Sequence, residues 1–122
     1  MRDHTKLRAF ALADEVAVLI YRTTKSFPRE EIYGITAQMR RAAVSVASNI
    51  VEGCARESQT EYLRHLEIAF GSLRELDYQL GLSVRLGYLN KQEGPACRQK
   101  IVEAEKVLGA LLRALRTSAR KG

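Results

Sequence analysis

The chain predicts an all-α fold: a single antiparallel up-down-up-down four-helix bundle that associates with copies of itself. Three observations carry this. Apolar residues recur at three- and four-residue steps in four separate stretches, with helices expected at about 6–26, 36–53, 58–87 and 91–119. The segments between them are short, with Pro28 in the first and Gly53 and Gly87 ending the second and third helices, which suits neighbouring helices of a bundle. Sustained strand-like alternation is absent. The 122 residues fit one domain, 1–122, large enough to bury roughly two-thirds of its unfolded surface without metal or disulfides.

The first helix is expected from about Lys6 to Ser26. Phe10, Leu12, Ala13, Val16, Ala17, Leu19, Ile20 and Tyr21 spread over about 200° of its wheel, beyond the usual apolar stripe. Pro28 stops it, because the ring cannot continue a helix and biases Phe27 toward extended geometry.

The second helix is expected from Thr36, as N-cap, to Gly53, as C-cap. It carries two apolar stripes. Ile35, Met39, Ala42, Ala43, Val46 and Ile50 form one; Ala37, Val44, Ala47 and Val51 form another, interrupted by Arg40. A surface helix of a lone domain needs one stripe. The second stripe, with the wide arc of the first helix, predicts a homo-oligomer whose interface includes Leu12, Val16, Leu19, Val44 and Val51.

The third helix has the clearest start, a Ser58-x-x-Glu61 capping box. Tyr62, Leu66, Ala69, Leu73, Leu76, Leu80 and Ser83 then mark a bundle seam that Gly87 ends. Gly71 and Ser72 sit mid-helix, where the cost of glycine predicts close approach of a neighbouring helix. The fourth helix begins between Asn90, which resembles a cap, and Pro95, which prefers a first turn. Its seam is Cys97, Ile101, Ala104, Leu108, Leu111 and Leu115.

Chemistry-bearing motifs are few. His4 lies near the N-terminus and His65 is the only other histidine; Glu61-x-x-x-His65 occurs once and at the wrong spacing for a di-iron bundle. There is no Gly-rich phosphate loop, and Ser45 and Ser48 have no nearby histidine in sequence. These observations predict a non-enzymatic protein without metal or cofactor. Cys54 and Cys97 form no CxxC pair and read as reduced thiols. No apolar run reaches transmembrane length, and the segment from Met1 to Lys6 lacks the apolar core of a signal peptide, so a cytoplasmic protein is expected.

Charge is unevenly distributed. Net charge is +6, and residues 91–122 hold eight Lys/Arg against three Glu. On the fourth helix Arg98, Lys106, Arg113, Arg116 and Arg120 fall within about 80° of one another. Arginine suits phosphate because its guanidinium can bind two oxygens at once. This stripe is the candidate nucleic-acid surface, with a solvated helix face as the alternative. No base-reading aromatic motif accompanies it, so contact with nucleic acid is expected to be electrostatic and weakly sequence-specific. Arg64, Arg74, Arg85 and Tyr78 share another helix face, diluted by Glu67 and Glu75.

The second helix also carries a polar seam of Gln38, Arg41, Ser45, Ser48, Asn49 and Glu52. Its residues Gln38, Arg40, Arg41, Ala42, Ser45, Asn49, Ile50, Glu52 and Gly53 resemble the signature of the 23S ribosomal RNA intervening-sequence protein family. Phe27-Pro28-x-Glu30-Glu31-x-Tyr33-Gly34 before it, and Glu61-Tyr62-Leu63, Ala69-Phe70-Gly71-Ser72-Leu73-x-Glu75-Leu76 and Leu86-Gly87-Tyr88-Leu89 after it, extend the resemblance over about residues 6–115. Gln38, Arg41, Ser45, Asn49, Glu52 and Gly53 read as structural, since small polar residues at helical spacing usually pack or bond locally.

The resemblance implies a homopentameric ring of bundles. It also implies kinship with the accessory variability proteins of diversity-generating retroelements, which associate with a reverse transcriptase and nucleic acid. Related reading frames inside ribosomal RNA genes favour RNA. The function expected is therefore an oligomeric scaffold that binds nucleic acid; the alternative is a protein-interaction module.

Overall fold

The structure, a computed structural model, describes residues 2–121, with side chains as far as Ser118. Four helices account for most of it: α1 (Arg8–Thr24), α2 (Ile35–Cys54), α3 (Gln59–Arg85) and α4 (Glu93–Lys121). Single 3-10 turns at His4–Lys6 and Arg29–Glu31 precede α1 and α2, and no strand occurs among the described residues. Every expected helix is present, with each end within two residues of its predicted place.

Each helix packs against two others. α1 packs closely against α2 and α4, and α3 against α2 and α4, while the backbones of the diagonal pairs stay further apart. The apolar seams meet in the middle of this square. Val16 and Ile20 of α1, Met39, Val46 and Ile50 of α2, Leu66, Leu73, Leu76 and Leu80 of α3, and Ile101 and Leu108 of α4 are all fully buried. In the last turns of α4 the buried position is Leu112, with Leu111 and Leu115 half-buried beside it. Leu12 and Val16, expected at an oligomer interface, are buried in the chain's own core, because α1 packs against both α2 and α4 and the two neighbours cover most of its wide apolar arc.

Cap chemistry explains where the helices begin and end. The Ser58 hydroxyl accepts the Glu61 N–H at 3.3 Å. Ser58→Ala should therefore lower unfolding free energy by ~1 kcal/mol, measurable by denaturant titration. Gly87, at φ 80°, closes α3. The Tyr88 N–H reaches Ser83 O (2.9 Å) and the Gly87 N–H reaches Val84 O (3.0 Å), the paired bonds of a Schellman motif. Asn90 resolves the start of α4: its Oδ1 accepts from Gln92 N (2.9 Å) and Glu93 N (2.7 Å), leaving Pro95 in the first turn.

Three glycine and cap expectations are corrected. Thr36 is not the N-cap of α2. The helix starts one residue earlier, Gly34 occupies the cap position without a side chain to offer, and the Glu31 carboxylate takes the Ile35 N–H instead (3.3 Å). Gly53 is not a C-cap, since α2 continues through Cys54; it is buried where α2 crosses α3. Gly71 faces open space, with nothing near its absent side chain. The close approach predicted there is made by Ser72, whose Oγ donates to Ser45 Oγ at 2.9 Å.

Candidate nucleic-acid interface

The polar seam of α2 is a bridge to α3. Asn49 Nδ2 donates to Ser45 O (2.9 Å) and sits 3.1 Å from Ser45 Oγ, while Asn49 Oδ1 lies 3.1 Å from His65 Nδ1. Ser72 completes the chain of contacts on the α3 side. The Glu52 carboxylate lies 3.7 Å from the same His65 nitrogen. Ser45 and Asn49 thus satisfy polar groups between two packed helices, a structural use. Gln38, Arg41 and Ser48 are exposed on the outer side of α2.

Arg98, Lys106, Arg113 and Arg116 of α4 gather along the flank that α4 shares with α3. Two are tied to α3 carboxylates: Arg98 Nε to Asp77 Oδ1 (3.2 Å) and Arg116 to Glu67 Oε2 (2.7 Å). Lys106 and Arg113 are exposed and make no ion pair with any described residue. The Arg120 side chain lies outside the described residues. Arg74 of α3 faces the same flank and binds the buried Glu105 carboxylate at 2.7 Å. That hydrogen bond raises the guanidinium's pKa further above its ordinary value.

Between these helices runs a cleft of about 950 Å³. Its rim includes Arg74, Arg85, Arg98 and Lys106; Leu80, Gly81, Val84, Pro95 and Val102 add an apolar lining. A neighbouring recess of about 420 Å³ continues past Lys106 to Gly109 and Arg113. Asp77 and Glu103 also line the cleft, but Asp77 is engaged by Arg98 and Glu103 by Arg8. Arg74 and Arg85 therefore join the α4 stripe, although a wheel of α3 alone groups them with a different, diluted face. The missing signal was which sides of α3 and α4 meet.

A second surface spans α1 and α2. Val18, Tyr21 and Val44 are each more than 40% exposed, and Ala17, Ala47 and Val51 are half-buried. Arg40 links the two helices here: its Nε donates to Thr24 Oγ1 (2.9 Å) and its guanidinium lies 4.8 Å from the Tyr21 ring centre. Ala17 and Tyr21, at one edge of the α1 arc, and Val18 beside them thus share a face with the second stripe of α2. Leu19 lies elsewhere, on the side of α1 whose Arg8 and Glu15 pair with Glu103 and Lys100 of α4. Three further large apolar side chains are exposed singly, Ile68 and Tyr78 on α3 and Leu86 at its C-cap, and Tyr78 also lines the α3–α4 cleft.

Cys54 and Cys97 are free, buried thiols, and burial pushes Cys97 up to about 11. No cluster of three or more His, Cys, Asp or Glu side chains able to hold a metal occurs among the described residues. None of their helices is long and apolar enough to cross a membrane.

Comparison with known proteins gives two positive results. The bundle is similar to the crystal structure of a protein of unknown function from the S23 ribosomal protein family of Bacteroides thetaiotaomicron VPI-5482, with a TM-score of 0.80. The two are 24% identical, and the match covers 86% of this chain and 95% of that one. No functionally curated protein matches. The model of the family described as 23S rRNA-intervening sequence protein matches residues 5–110, and the chain belongs to that family.

Proposed function

We propose that the protein is a non-enzymatic scaffold that binds nucleic acid, RNA in preference, along the α3–α4 flank. One observation carries this reading: cations from two helices converge on the cleft and its adjoining recess, where Lys106 and Arg113 have no carboxylate partner among the described residues. Unpaired surface cations can displace the counterions condensed on nucleic-acid phosphates, whereas paired ones must first release a carboxylate. The family's description as a 23S rRNA-intervening sequence protein supports RNA as the partner. Replacing Lys106 and Arg113 tests the reading through the salt dependence of RNA binding. The apolar lining of the cleft favours a second reading, a groove for an acidic protein segment, in which the same variants leave RNA binding untouched.

The scaffold is an antiparallel up-down-up-down bundle assembled into a ring. The order of cross-helix contacts supports the antiparallel arrangement: Met39, Ser45 and Asn49 ascend α2 as their partners Ser83, Ser72 and His65 descend α3. The exposed apolar face on α1–α2 supports self-association, and the family resemblance supports closure into a ring. Val18→Glu/Val44→Glu should dissociate the assembly, read by sedimentation velocity at micromolar concentration. A wild-type chain that sediments as a monomer there overturns the ring.

A further inference from the structure

We infer a phosphoryl-binding pocket at the end of the bundle where α1 stops and α2 begins, remote from Arg113 and independent of the function proposed above. The cavity, about 330 Å³, is lined by Thr24, Lys25, Phe27, Arg29, Thr36 and Arg40, together with Pro28 and Ile32. Three of these are cations, and none of the lining residues is a carboxylate. Lys25 and Arg29 are exposed and unpaired among the described residues, so nothing in the wall neutralises the cluster.

Two further features define the ligand. Arg40 is held in place by Thr24 Oγ1 (2.9 Å) and Tyr21 O (3.4 Å). Two of its five N–H groups are thereby used, and three stay free to bind a second acceptor. Thr36, 5% exposed, has a buried hydroxyl with no hydrogen-bond partner. A buried hydroxyl without a partner carries a desolvation cost that an oxyanion oxygen removes. Thr36 also stands in the first turn of the 20-residue α2, whose unpaired N–H groups make that end electropositive. Glu31, the nearby carboxylate, takes only the Ile35 N–H and gives its other oxygen to the Tyr88 hydroxyl (2.7 Å); it does not line the cavity. A hydroxyl donor, a forked guanidinium and two mobile cations suit a tetrahedral oxyanion. The cavity volume is about ten times one water's share of the liquid (~30 Å³), leaving room for the group the phosphate is attached to.

The test is a titration of the full chain with inorganic phosphate at constant ionic strength, against chloride, followed by amide NMR at Thr36 and Ala37. Saturable shifts that Lys25→Gln/Arg29→Gln weakens about tenfold or more support the pocket. Both side chains are exposed and unpaired, so that variant keeps its fold. Thr36→Val adds an independent readout: it should lose phosphate affinity while gaining stability in phosphate-free buffer, because the orphaned hydroxyl is gone. Absence of saturable shifts, or phosphate affinity unchanged in the double variant, overturns the proposal. Competition by a 5′-phosphorylated but not a 5′-hydroxyl oligoribonucleotide upholds it with a nucleic-acid end as the source; competition by neither upholds it with a free phosphate.

Discussion

Lys106→Glu/Arg113→Glu should weaken RNA binding on the order of a hundredfold at ~0.15 M salt and flatten its salt dependence. Each phosphate contact to a single strand contributes about 0.7 to the slope of log affinity against log salt, or about fourfold in affinity at that concentration. Reversing two charges changes the local field by four units, which compounds to the stated loss. Both residues are exposed and outside every ion pair among the described residues, so the fold should tolerate the change. The informative contrast is Arg116→Gln. That side chain is bonded to Glu67 at 2.7 Å, and its loss should affect RNA binding less per residue than Arg113→Gln. Filter binding at two salt concentrations reads both quantities. An unchanged affinity and slope in the double variant removes the nucleic-acid assignment and leaves the acidic-peptide groove.

The helices were legible because their apolar periods are long and the punctuation around them is chemical. Ser58, Gly87 and Asn90 act as a short-range reading predicts, each through bonds to backbone within five residues. The misreadings concern residues whose role depends on a distant part of the chain or on a better local competitor. Thr36 has N-cap chemistry, but α2 starts one residue earlier with Gly34 at the cap, the Gln38 N–H goes to Gly34 O, and the threonine hydroxyl is left buried. Leu12 and Val16 belong to the core rather than an outer face, because a 200° arc does not say which part of it the neighbouring helices cover. The site was half legible. Five α4 cations align on one wheel, but Arg74 and Arg85 join them only when α3 and α4 are set side by side. Likewise Lys25, Arg29, Thr36 and Arg40 carry no recognisable spacing, and only the packing of α1 against α2 brings them around one cavity.

Gly53→Ala should destabilise the protein by ~1–2 kcal/mol, and Gly53→Leu by ~3 kcal/mol or more, although both replace a glycine inside a helix. Propensity alone predicts a gain of up to ~1 kcal/mol for Gly→Ala. Packing opposes it. A methyl at Gly53 meets His65 Cβ at 2.9 Å, Tyr62 Cδ1 at 3.3 Å and Tyr62 O at 3.4 Å. None of these neighbours yields easily. The His65 atom is fixed to the α3 backbone, and its ring is held by Asn49. Tyr62 is buried beneath the Arg2 guanidinium, which lies 4.0 Å from its ring centre and also bonds Arg56 O and Gln59 Oε1. Relief therefore requires α2 and α3 to separate, which strains the Asn49–His65 and Ser45–Ser72 bonds along the same seam. Gly71 supplies the control. A methyl there meets nothing within 4 Å, so Gly71→Ala should stabilise by ~0.5–1 kcal/mol through the unfolded chain's lost freedom. Denaturant titrations of both variants at one protein concentration decide the matter, since association would otherwise shift the apparent stability. If Gly53→Ala matches or exceeds the wild type, the close crossing of α2 and α3 is not what that glycine is for.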